Sequence, residues 1–599
     1  MKRVSVLLIT VALIAGMVGC PGAPVQVNLT ISSTSGGSVT TPGEGTFTYE
    51  EGAVVKLVAL PEAGYRFVNW TGDVASIANV NAAVTAITMN GDCAITANFA
   101  KIPVYQLTVS STEGGSVTAP GEGTFSYEEG TVRGLVASPG VGYIFVSWSG
   151  DVGSVHDVYS AVTTIRMNGD YSIRADFAED EVVSFADPNL EAAVREAIGI
   201  PERTVYGRDM EGLSELRAQE RGISDLTGLE HARGLTSLYL GGNQISDISA
   251  LADLTGLTGL DLHDNQVSDI SPLAGLSGLM WLYLYQNQIS DISPLAWLHS
   301  LTSLHLGSNQ VSDLSPLAGL SGLTWLYLHQ NQVSDVSPLA GLHSLTSLNL
   351  WDNQISDISP LADLTSLRDL HLWTNQISDI SPLGSLTGLT ELYLGGNQID
   401  DISPLAGLTS LTSLELADNQ ISDISPLAGL RNLTRLGLSG HSVEDISLLV
   451  DLSRLTMLTL WEAEISDLSP LAGLTGLTLL SLGSNQISDI SPLAGLTSLG
   501  WLWLPANQIG DVSPLAGLTG LTSLHLGSNQ ISDISPLAGL TGLRELYLDD
   551  NRIRDIKPLV DNPGLGAGDR VSLSGNPLST ASINTYIAQL RARGVIVNY

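Results

Sequence analysis

The chain has 599 residues and a formal net charge of −36, from 25 lysine and arginine residues against 61 aspartate and glutamate residues. A surface of this sign repels phosphate groups, so we exclude nucleic acid as a ligand and anionic lipid headgroups as partners of the folded chain. The sequence also lacks the motifs of zinc hydrolases, phosphate-binding loops and serine nucleophiles. It therefore predicts a protein without catalytic activity and without a cofactor.

The N-terminus has the pattern of an export signal. Lys2 and Arg3 precede an apolar run over residues 4–18, which is shorter than a membrane span and has the length of a signal-peptide core. The segment Met-Val-Gly-Cys that ends at Cys20 resembles the lipobox of bacterial lipoproteins, which implies a signal peptide over residues 1–20 and acylation of Cys20. Cleavage without acylation is the alternative, because Met17 stands where such motifs usually have Leu.

Residues 27–100 and 105–178 are two copies of one module. They align without a gap at an offset of 78 and share Gly-Gly-Ser-Val, Pro-Gly-Glu-Gly-Thr-Phe and Met-Asn-Gly-Asp. Val, Thr, Leu and aromatic residues alternate between Gly and Pro turns, which predicts strands throughout. The run Gly-Tyr-x-Phe-Val-x-Trp-x-Gly-Asp resembles the divergent internalin B-type repeat of bacterial surface proteins, and this resemblance implies that the modules are spacers.

Three side chains of these modules are candidates for either core or functional positions. Trp70 and Trp148 occupy equivalent places in the two copies, and we expect them in the core rather than as ligand platforms. Cys93 stands where the second copy has Tyr171, so it is predicted to be a core thiol. With Cys20 as the only other cysteine, the chain has no basis for a disulfide framework.

From Leu235 to Leu548 the chain repeats every 22 residues as Leu-x-x-Leu-x-Leu-x-x-Asn-Gln-Ile-Ser-Asp-Ile-Ser-Pro-Leu-Ala-x-Leu. One coil of this length has no opposite wall against which to bury its leucines, so neighbouring coils must stack and share a core. Only His441 and Ala463 interrupt the asparagine series. The asparagines stand at Asn243, Asn265, Asn287, Asn309, Asn331, Asn353, Asn375, Asn397, Asn419, Asn485, Asn507, Asn529 and Asn551.

Each coil is predicted to contain a short strand and a short helical turn. Leu-x-Leu alternates with period two, whereas Ser-Pro-Leu-Ala has the pattern of a serine N-cap followed by proline at the first helical position. The asparagine amide is expected to satisfy backbone groups where the chain leaves the strand. The motif resembles the leucine-rich repeat of the internalin type and covers about two thirds of the chain. It implies a mostly β, right-handed solenoid of about 16 coils over residues 213–578.

Helical segments are predicted to close both ends of the solenoid. Residues 183–212 form the N-terminal cap, in which Asp187 is the N-cap of a helix that begins at Pro188 and stops at Gly199. Residues 579–599 form the C-terminal cap. Capped ends keep a solenoid from stacking onto copies of itself, so we expect a monomer.

An aspartate recurs in every coil, including those that lack the asparagine. One interpretation is a stacked carboxylate ladder that binds calcium. The other is that each aspartate accepts backbone N–H groups of its own turn, and this is favoured because no glycine-rich acidic loop accompanies the series. We therefore predict no metal site. The series is Asp247, Asp269, Asp291, Asp313, Asp335, Asp357, Asp379, Asp401, Asp423, Asp445, Asp467, Asp489, Asp511, Asp533 and Asp555.

Large rings concentrate at the non-leucine positions in and just after the predicted strands. These positions form the outward face of the solenoid sheet, which we call the strand face and expect to be concave. Cross-strand pairing alone could explain the rings, but Val or Thr would serve that purpose equally, so a binding surface is favoured. The candidate ligand-binding residues are Tyr239, Trp281, Tyr283, Tyr285, Trp325, Tyr327, Trp351, Trp373, Tyr393, Trp501 and Trp503. The same positions hold His305, His329, His371, Trp461, His525 and Tyr547.

These features predict an extracytoplasmic protein of the cell envelope or surface, attached to the membrane only through its N-terminal lipid. Two β modules would present the solenoid, whose acidic, aromatic strand face binds a protein partner or mediates adhesion, as the internalin resemblance implies. The alternative is a carbohydrate-binding protein in which Trp and Tyr rings stack on a glycan.

Overall fold

The computed structural model describes residues 24–443 and 445–599, which divide after Glu181 into two compact units. The predicted signal peptide and the acylation of Cys20 lie outside these residues. No helix of the described segments has the length and apolarity needed to cross a bilayer.

The first unit contains the two predicted β modules, and each has a four-stranded and a three-stranded sheet. In both copies the first strand pairs in parallel with the last one. The strands of the first copy are Gln26–Ser33, Gly37–Thr41, Gly45–Glu50, Val54–Pro61, Tyr65–Gly72, Val84–Thr88 and Cys93–Lys101. Those of the second are Val104–Ser111, Gly115–Ala119, Gly123–Glu128, Val132–Pro139, Tyr143–Gly150, Val162–Arg166 and Tyr171–Glu179, with a 3-10 turn at Val152–Ser154.

The core of each module confirms the expectation for the two tryptophans. Trp70 and Trp148 are almost fully buried, and their Nε1 atoms donate to the carbonyls of Ala82 and Ser160 at 3.0 Å. Cys93 packs partly buried against the first core, and this burial raises the pKa of its thiol. These three side chains are therefore structural, as the sequence predicted.

The second unit is a solenoid built on one sheet of 18 short strands in chain order, paired in parallel. The middle leucine of each strand lies opposite the middle leucine of the next, as Leu238 does with Leu260. The strands are Glu215–Arg217, Ser237–Tyr239, Gly259–Asp261, Trp281–Tyr283, Ser303–His305, Trp325–Tyr327, Ser347–Asn349, Asp369–His371, Glu391–Tyr393, Ser413–Glu415, Arg435–Gly437, Met457–Thr459, Leu479–Ser481, Trp501–Trp503, Ser523–His525, Glu545–Tyr547, Arg570–Ser572 and Ile596–Asn598.

One continuous hydrophobic core runs through all these coils. The repeat leucines and isoleucines are buried, from Leu235 in the first regular coil to Leu548 in the last. Each buried aliphatic side chain contributes roughly 1.5–3 kcal/mol, and a single coil could not obtain this without its neighbours. The stacking that the 22-residue period predicts is thus confirmed.

In the coils from Ser249 to Gly539 the turn opposite the strand is a 3-10 helix of three to five residues, the usual length of such helices, and at Lys557–Asp561 it becomes α-helical. The serine is the first residue of the turn and makes no capping bond, so the predicted serine N-cap is wrong. The aspartate two residues earlier takes that role: Asp269 accepts the N–H of Ser271 at 2.8 Å. The 3-10 helices of the regular coils are Ser249–Leu251, Ser271–Gly275, Ser293–Trp297, Ser315–Leu317, Ser337–Leu339, Ser359–Leu361, Ser381–Ser385, Ser403–Gly407, Ser425–Gly429, Ser447–Asp451, Ser469–Leu471, Ser491–Gly495, Ser513–Gly517 and Ser535–Gly539.

The asparagines bind the backbone of two successive coils together. Asn265 donates from Nδ2 to the carbonyls of Leu240 and Leu262, and its Oδ1 accepts the N–H of Ile245 at 2.9 Å. The predicted role of the asparagine is confirmed. In most coils the residue before the asparagine has a left-handed backbone conformation, for example Asp264 with φ of 49°. The sequence pattern does not predict this strained conformation.

The two breaks in the asparagine series have different consequences. His441 is buried and keeps one of the bonds, since its Nε2 lies 2.7 Å from the carbonyl of Leu416, but its Nδ1 has no hydrogen-bond partner. Ala463 has no polar side-chain atom at all, so it cannot receive the N–H of Val443 as an asparagine would. Two successive coils thus lack part of the bonding present elsewhere.

The ends of the solenoid carry the remaining helices. Helix α1, Pro188–Ile198, has Asp187 as its N-cap and left-handed Gly199 after its last turn, as predicted. The other helical segments are Leu229–His231, α2 at Gly207–Glu211, α3 at Lys557–Asp561, a π-helical turn at Ser582–Tyr586 and α4 at Ile587–Ala592. Strand Ile596–Asn598 follows α4 and forms the edge of the sheet, so the C-terminal end is not purely helical.

Candidate ligand-binding surface

Every candidate ring lies at an outward position of the solenoid sheet. Side chains alternate along a strand, so burial of the middle leucine turns the residues on either side of it outward, as with Trp325 and Tyr327 around Leu326. A third outward position follows two residues later, for example His329. Because every strand is in register with its neighbours, these positions form three parallel columns across the coils.

Rings of different coils contact one another from Tyr239 onward. Tyr239 contacts Trp281, two coils away and lying over Gly259, at 5.3 Å between ring centroids. Tyr285 stacks on His305 of the next coil at 4.3 Å with an angle of 28°. Further contacts continue the network to Trp351. We call the rings of the strand face between residues 239 and 393 the central patch; they are Tyr239, Trp281, Tyr283, Tyr285, His263, His305, Trp325, Tyr327, His329, Trp351, His371, Trp373 and Tyr393.

Part of each ring remains available to a ligand. Trp325 is 52% exposed and Trp373 is 38% exposed, so a large part of each indole is open to solvent. Most of the other rings are half-buried against one another. The central patch is therefore a surface of packed rings rather than a set of isolated side chains.

Two histidines of the central patch are held neutral by their surroundings. Burial and the neighbouring His329 and His263 lower the pKa of His305 to about 4, and burial also lowers the pKa of His329. Nε2 of His305 and Nδ1 of His329 are buried without a hydrogen-bond partner. These unprotonated rings add apolar and stacking area to the patch without adding positive charge.

Acidic side chains alternate with the rings in the same columns. Asp261 lies 2.7 Å from Nδ1 of His263, and Asp369 lies 2.9 Å from Nε2 of His371. Burial raises the pKa of Glu415. The outward columns therefore hold both aromatic and acidic side chains, as the sequence predicts.

The strand face has an interval without rings and then a second group. Strands Ser413–Glu415 and Arg435–Gly437, and the positions two residues after them, place no aromatic side chain outward. The C-terminal patch begins in the next coil, two residues after Met457–Thr459, and consists of Trp461, Trp501, Trp503, His525 and Tyr547. Trp501 and Trp503 lie on one strand with ring centroids 6.3 Å apart and an angle of 26° between their planes.

The sequence pattern missed two relevant aromatic residues. His263 stacks on Tyr285 at 4.6 Å and occupies the same column position as that tyrosine one coil later, so the 22-residue register could have found it. Trp297 lies at the end of a 3-10 helix, away from the strands, and is 72% exposed. It is the most exposed tryptophan of the described chain and lies outside both patches.

The aspartate series is explained by local hydrogen bonds. Asp247 and its equivalents accept the N–H of the residue two positions later, typically at 2.8 Å, and this bond lowers the pKa of carboxyls such as Asp291 and Asp379. The favoured interpretation is confirmed. Over residues 24–443 and 445–599, no three His, Cys, Asp or Glu side chains are grouped so that they could hold a metal ion.

Comparison with protein-family models gives two matches. The "Divergent InlB B-repeat domain" matches residues 27–103 and 105–181. The model "Leucine Rich repeats (2 copies)" matches more than half of the chain, over residues 233–275, 279–319, 321–363, 365–407, 409–452, 453–495, 497–539 and 519–561. No curated protein matches the sequence.

Solved structures give further similarities. An internalin (inlF) from Listeria monocytogenes is 36% identical over 64% of this chain and 96% of its own, with a TM-score of 0.38. The functional domain of InlJ from Listeria monocytogenes is 23% identical over 66% of this chain and 82% of its own, with a TM-score of 0.54. The plant peptide hormone receptor RGFR1, solved in complex with RGF2, is 20% identical over 65% of this chain and 74% of its own, with a TM-score of 0.50.

The repeat matches fall on the solenoid, and the B-repeat matches fall on the two β modules. Both agree with the resemblances drawn from the motifs alone. The chain therefore belongs to the leucine-rich repeat family, as an internalin-like member that carries two divergent InlB B-repeat domains ahead of its repeats.

Proposed function

We propose that this protein binds a protein partner on the strand face of its solenoid, with the central patch as the main contact, and that it acts in adhesion or recognition without catalysis. The observation that carries the proposal is the concentration of partly exposed rings on the strand face, many of which contact one another across coils. Large amphipathic rings are the side chains that most often dominate binding energy at protein interfaces. An apolar surface of this extent on a soluble fold is typical of an interaction site.

The ring-free interval supports the view that the rings serve binding and are not required for folding. Strands Ser413–Glu415 and Arg435–Gly437 carry serine, glutamate, arginine and glycine in the same columns and still pair in register. A coil of this solenoid therefore forms without rings on its strand face. A leucine-rich repeat fold in complex with a ligand also has a precedent in the plant receptor bound to RGF2.

The test is a variant in which Trp325, Tyr327, Trp351 and Trp373 are all replaced by Ala. The matched control is Trp297→Ala, which removes a more exposed indole outside the strand face. The full chain would be used to capture protein partners from native extracellular material. The affinity of each variant for a captured partner would then be measured. Central anchors contribute at least about 2 kcal/mol each at hot spots, so the quadruple variant should lose binding while Trp297→Ala retains it. Equal affinity of the two variants would exclude the central patch.

We propose in addition that the protein is extracytoplasmic, monomeric and attached to the membrane through an acylated Cys20, with the B-repeat domains as spacers. The lipobox-like segment supports this. In detergent phase separation the wild type should enter the detergent phase and Cys20→Ala should remain aqueous or unprocessed. Identical partitioning of the two would contradict acylation.

Glycan binding is a second candidate, favoured by one feature of the C-terminal patch. Trp501 and Trp503 are 49% and 40% exposed, and their nearly parallel planes on one strand suit stacking on successive sugar rings. A glycan array should give hits that disappear in the Trp501→Ala and Trp503→Ala double variant. An array without hits would leave protein binding as the function.

A further inference from the structure

The C-terminal patch contains a cleft that combines aromatic rings with an acid group. Its volume is about 390 Å³. The residues lining it are Trp461, Trp503, Ser523, His525, Glu545 and Tyr547. They come from four strands or the residues just after them, so the cleft forms only when the coils are stacked.

The indole of Trp461 packs against a small residue of the next coil. The indole of Trp461 lies across Gly483, where a β-carbon would come within 2.4 Å of the ring. His525 meets Tyr547 edge to face, with centroids 5.1 Å apart and an angle of 71°. Trp461, Trp503 and Tyr547 thus line the cleft from three coils, and each keeps part of its ring exposed.

One carboxylate lies among these rings. Glu545 accepts a hydrogen bond on Oε2 from Ser523, whose Oγ lies 3.3 Å away at the floor of the cleft. Within the described chain its Oε1 has no hydrogen bond and no ion pair. Arg570 is its register partner on the next strand, yet Arg570 forms no ion pair with Glu545 in the segments the structure describes.

The neighbouring titratable groups do not neutralise this acid. Burial lowers the pKa of His525, although the carboxylate of Asp549 opposes the shift, so the imidazole is uncharged at neutral pH. Asp549 is itself engaged by Ser572 and Ser574. The cleft thus presents aromatic faces and a single carboxylate in a chain whose net charge is −36.

We propose that this cleft binds an organic ammonium cation, with the faces of Trp461, Trp503 and Tyr547 in cation–π contact and Glu545 as the counter-charge. Aromatic faces grouped around a desolvated cation favour it over a neutral group of the same shape. The inference deepens the proposed binding function of the strand face, because it names the chemistry of one part of the ligand. The cation belongs either to a free quaternary ammonium compound or to a lysine side chain of the partner.

The experiment titrates the full chain with choline and with its uncharged isostere 3,3-dimethyl-1-butanol. Calorimetry and tryptophan fluorescence would be recorded in about 0.15 M salt, where the Debye length is about 8 Å and the net charge of the chain is screened. Choline should bind about 5- to 30-fold more tightly than the alcohol, as a cation–π contribution of about 1–2 kcal/mol requires. This comparison uses only the wild type, so it does not depend on the folding of any variant.

Two variants and a matched control locate the site. Glu545→Gln and Trp503→Ala should each weaken choline binding about fivefold or more. Glu391→Gln should bind like the wild type, because Glu391 begins the same Glu-Leu-Tyr strand in another coil but is bonded to the hydroxyl of Tyr393. Equal affinity for choline and the alcohol, or equal effects of Glu545→Gln and Glu391→Gln, would overturn the proposal.

A further titration with Nα-acetyl-lysine methylamide distinguishes the two sources of the cation. Preference for choline assigns the cleft to quaternary ammonium compounds, whereas equal or tighter binding of the lysine derivative assigns it to a partner's side chain. Both results support an ammonium site. None of these probes touches the central patch, so a failure here leaves the test of protein binding intact, and loss of partner binding there leaves this test intact.

Discussion

Replacing Asn375 by Leu tests how much the hydrogen bonds of the asparagine series contribute to the stability of the fold. Nδ2 of Asn375 donates to the carbonyls of Leu350 and Leu372 at 3.0 and 3.1 Å, and Oδ1 accepts the N–H of Ile355 at 3.0 Å. The side chain is buried, so water cannot replace these partners. Leucine would therefore leave the Ile355 N–H without an acceptor and weaken the bonding of two carbonyls.

The expected loss follows from the orphaned donor. A buried N–H without a partner costs about 1–3 kcal/mol. The free energy of unfolding in urea should fall by that amount. Hydrogen exchange should locate the effect, because opening at Ile355 that is easier by about 1–3 kcal/mol accelerates exchange of its amide about 5- to 150-fold.

The control is Gln376→Leu, the same chemical change at the adjacent exposed position. It should leave both the unfolding free energy and the Ile355 amide almost unchanged, since surface substitutions usually have effects within about 0.5 kcal/mol. If Asn375→Leu were as stable as Gln376→Leu, the asparagine bonds would be shown to contribute nothing net, and the leucine core alone would account for the stacking.

Three further outcomes are expected. Hydrogen exchange should be faster over residues 430–470, where His441 and Ala463 replace asparagine, than in the flanking coils; uniform protection would contradict this. Thr374→Gly should stabilise the protein by about 0.5–1 kcal/mol in urea unfolding, because Thr374 has a φ of 50°, and a destabilised variant would refute the strain argument. The unfolded chain takes up the His305 proton near pH 6.5 and the folded one only at about 4, so the unfolding free energy should decrease as pH falls from 6.5 towards 4. An NMR titration that places the pKa of His305 at 6.5 or higher would contradict this prediction.

The 22-residue spacing was sufficient to predict which side chains face inward. Period-two alternation within Leu-x-Leu assigns the leucines to the core and the rings to the outward columns, and both assignments agree with the burial of residues such as Leu326 and the exposure of Trp325. The roles of the asparagine and of the aspartate were also predictable, because an amide or a carboxylate at a turn has few alternatives to bonding the local backbone.

Details that depend on the backbone of a single turn were less accessible. The Ser-Pro pair suggested a serine N-cap, but a 3-10 turn places the serine inside the first turn, so the capping carboxylate must come from the aspartate two residues before it. The left-handed residue before each asparagine varies among Gly, Asp, Ser, Gln, Thr and Ala. Without glycine at every copy, the composition of that position did not indicate its conformation.

The cleft of the C-terminal patch could not be predicted because it depends on side-chain directions across several coils. Trp461 and Glu545 are far apart in sequence, and the register alone does not show that the indole crosses Gly483. Serine and glycine in the intervening columns are the only signal, since they leave space between large rings. Glycines also lie beneath rings of the central patch, such as Gly259 beneath Trp281, but there rings of adjacent coils contact one another.

The ring-free interval and the break in the asparagine series overlap in one coil. Strand Arg435–Gly437 belongs to the coil of His441, so this coil has no outward ring and keeps only part of the amide bonding. The next coil lacks the asparagine at Ala463 but carries Trp461. The leucine core, the strand pairing and bonds such as that from Oγ1 of Thr456 to the carbonyl of Thr434 still join these coils. Contacts between nearest neighbours determine stability in a solenoid, so we expect the coils of His441 and Ala463 to open more readily than the flanking ones. The central patch lies before this junction and most of the C-terminal patch after it, so a ligand that contacts both patches would also stabilise the junction.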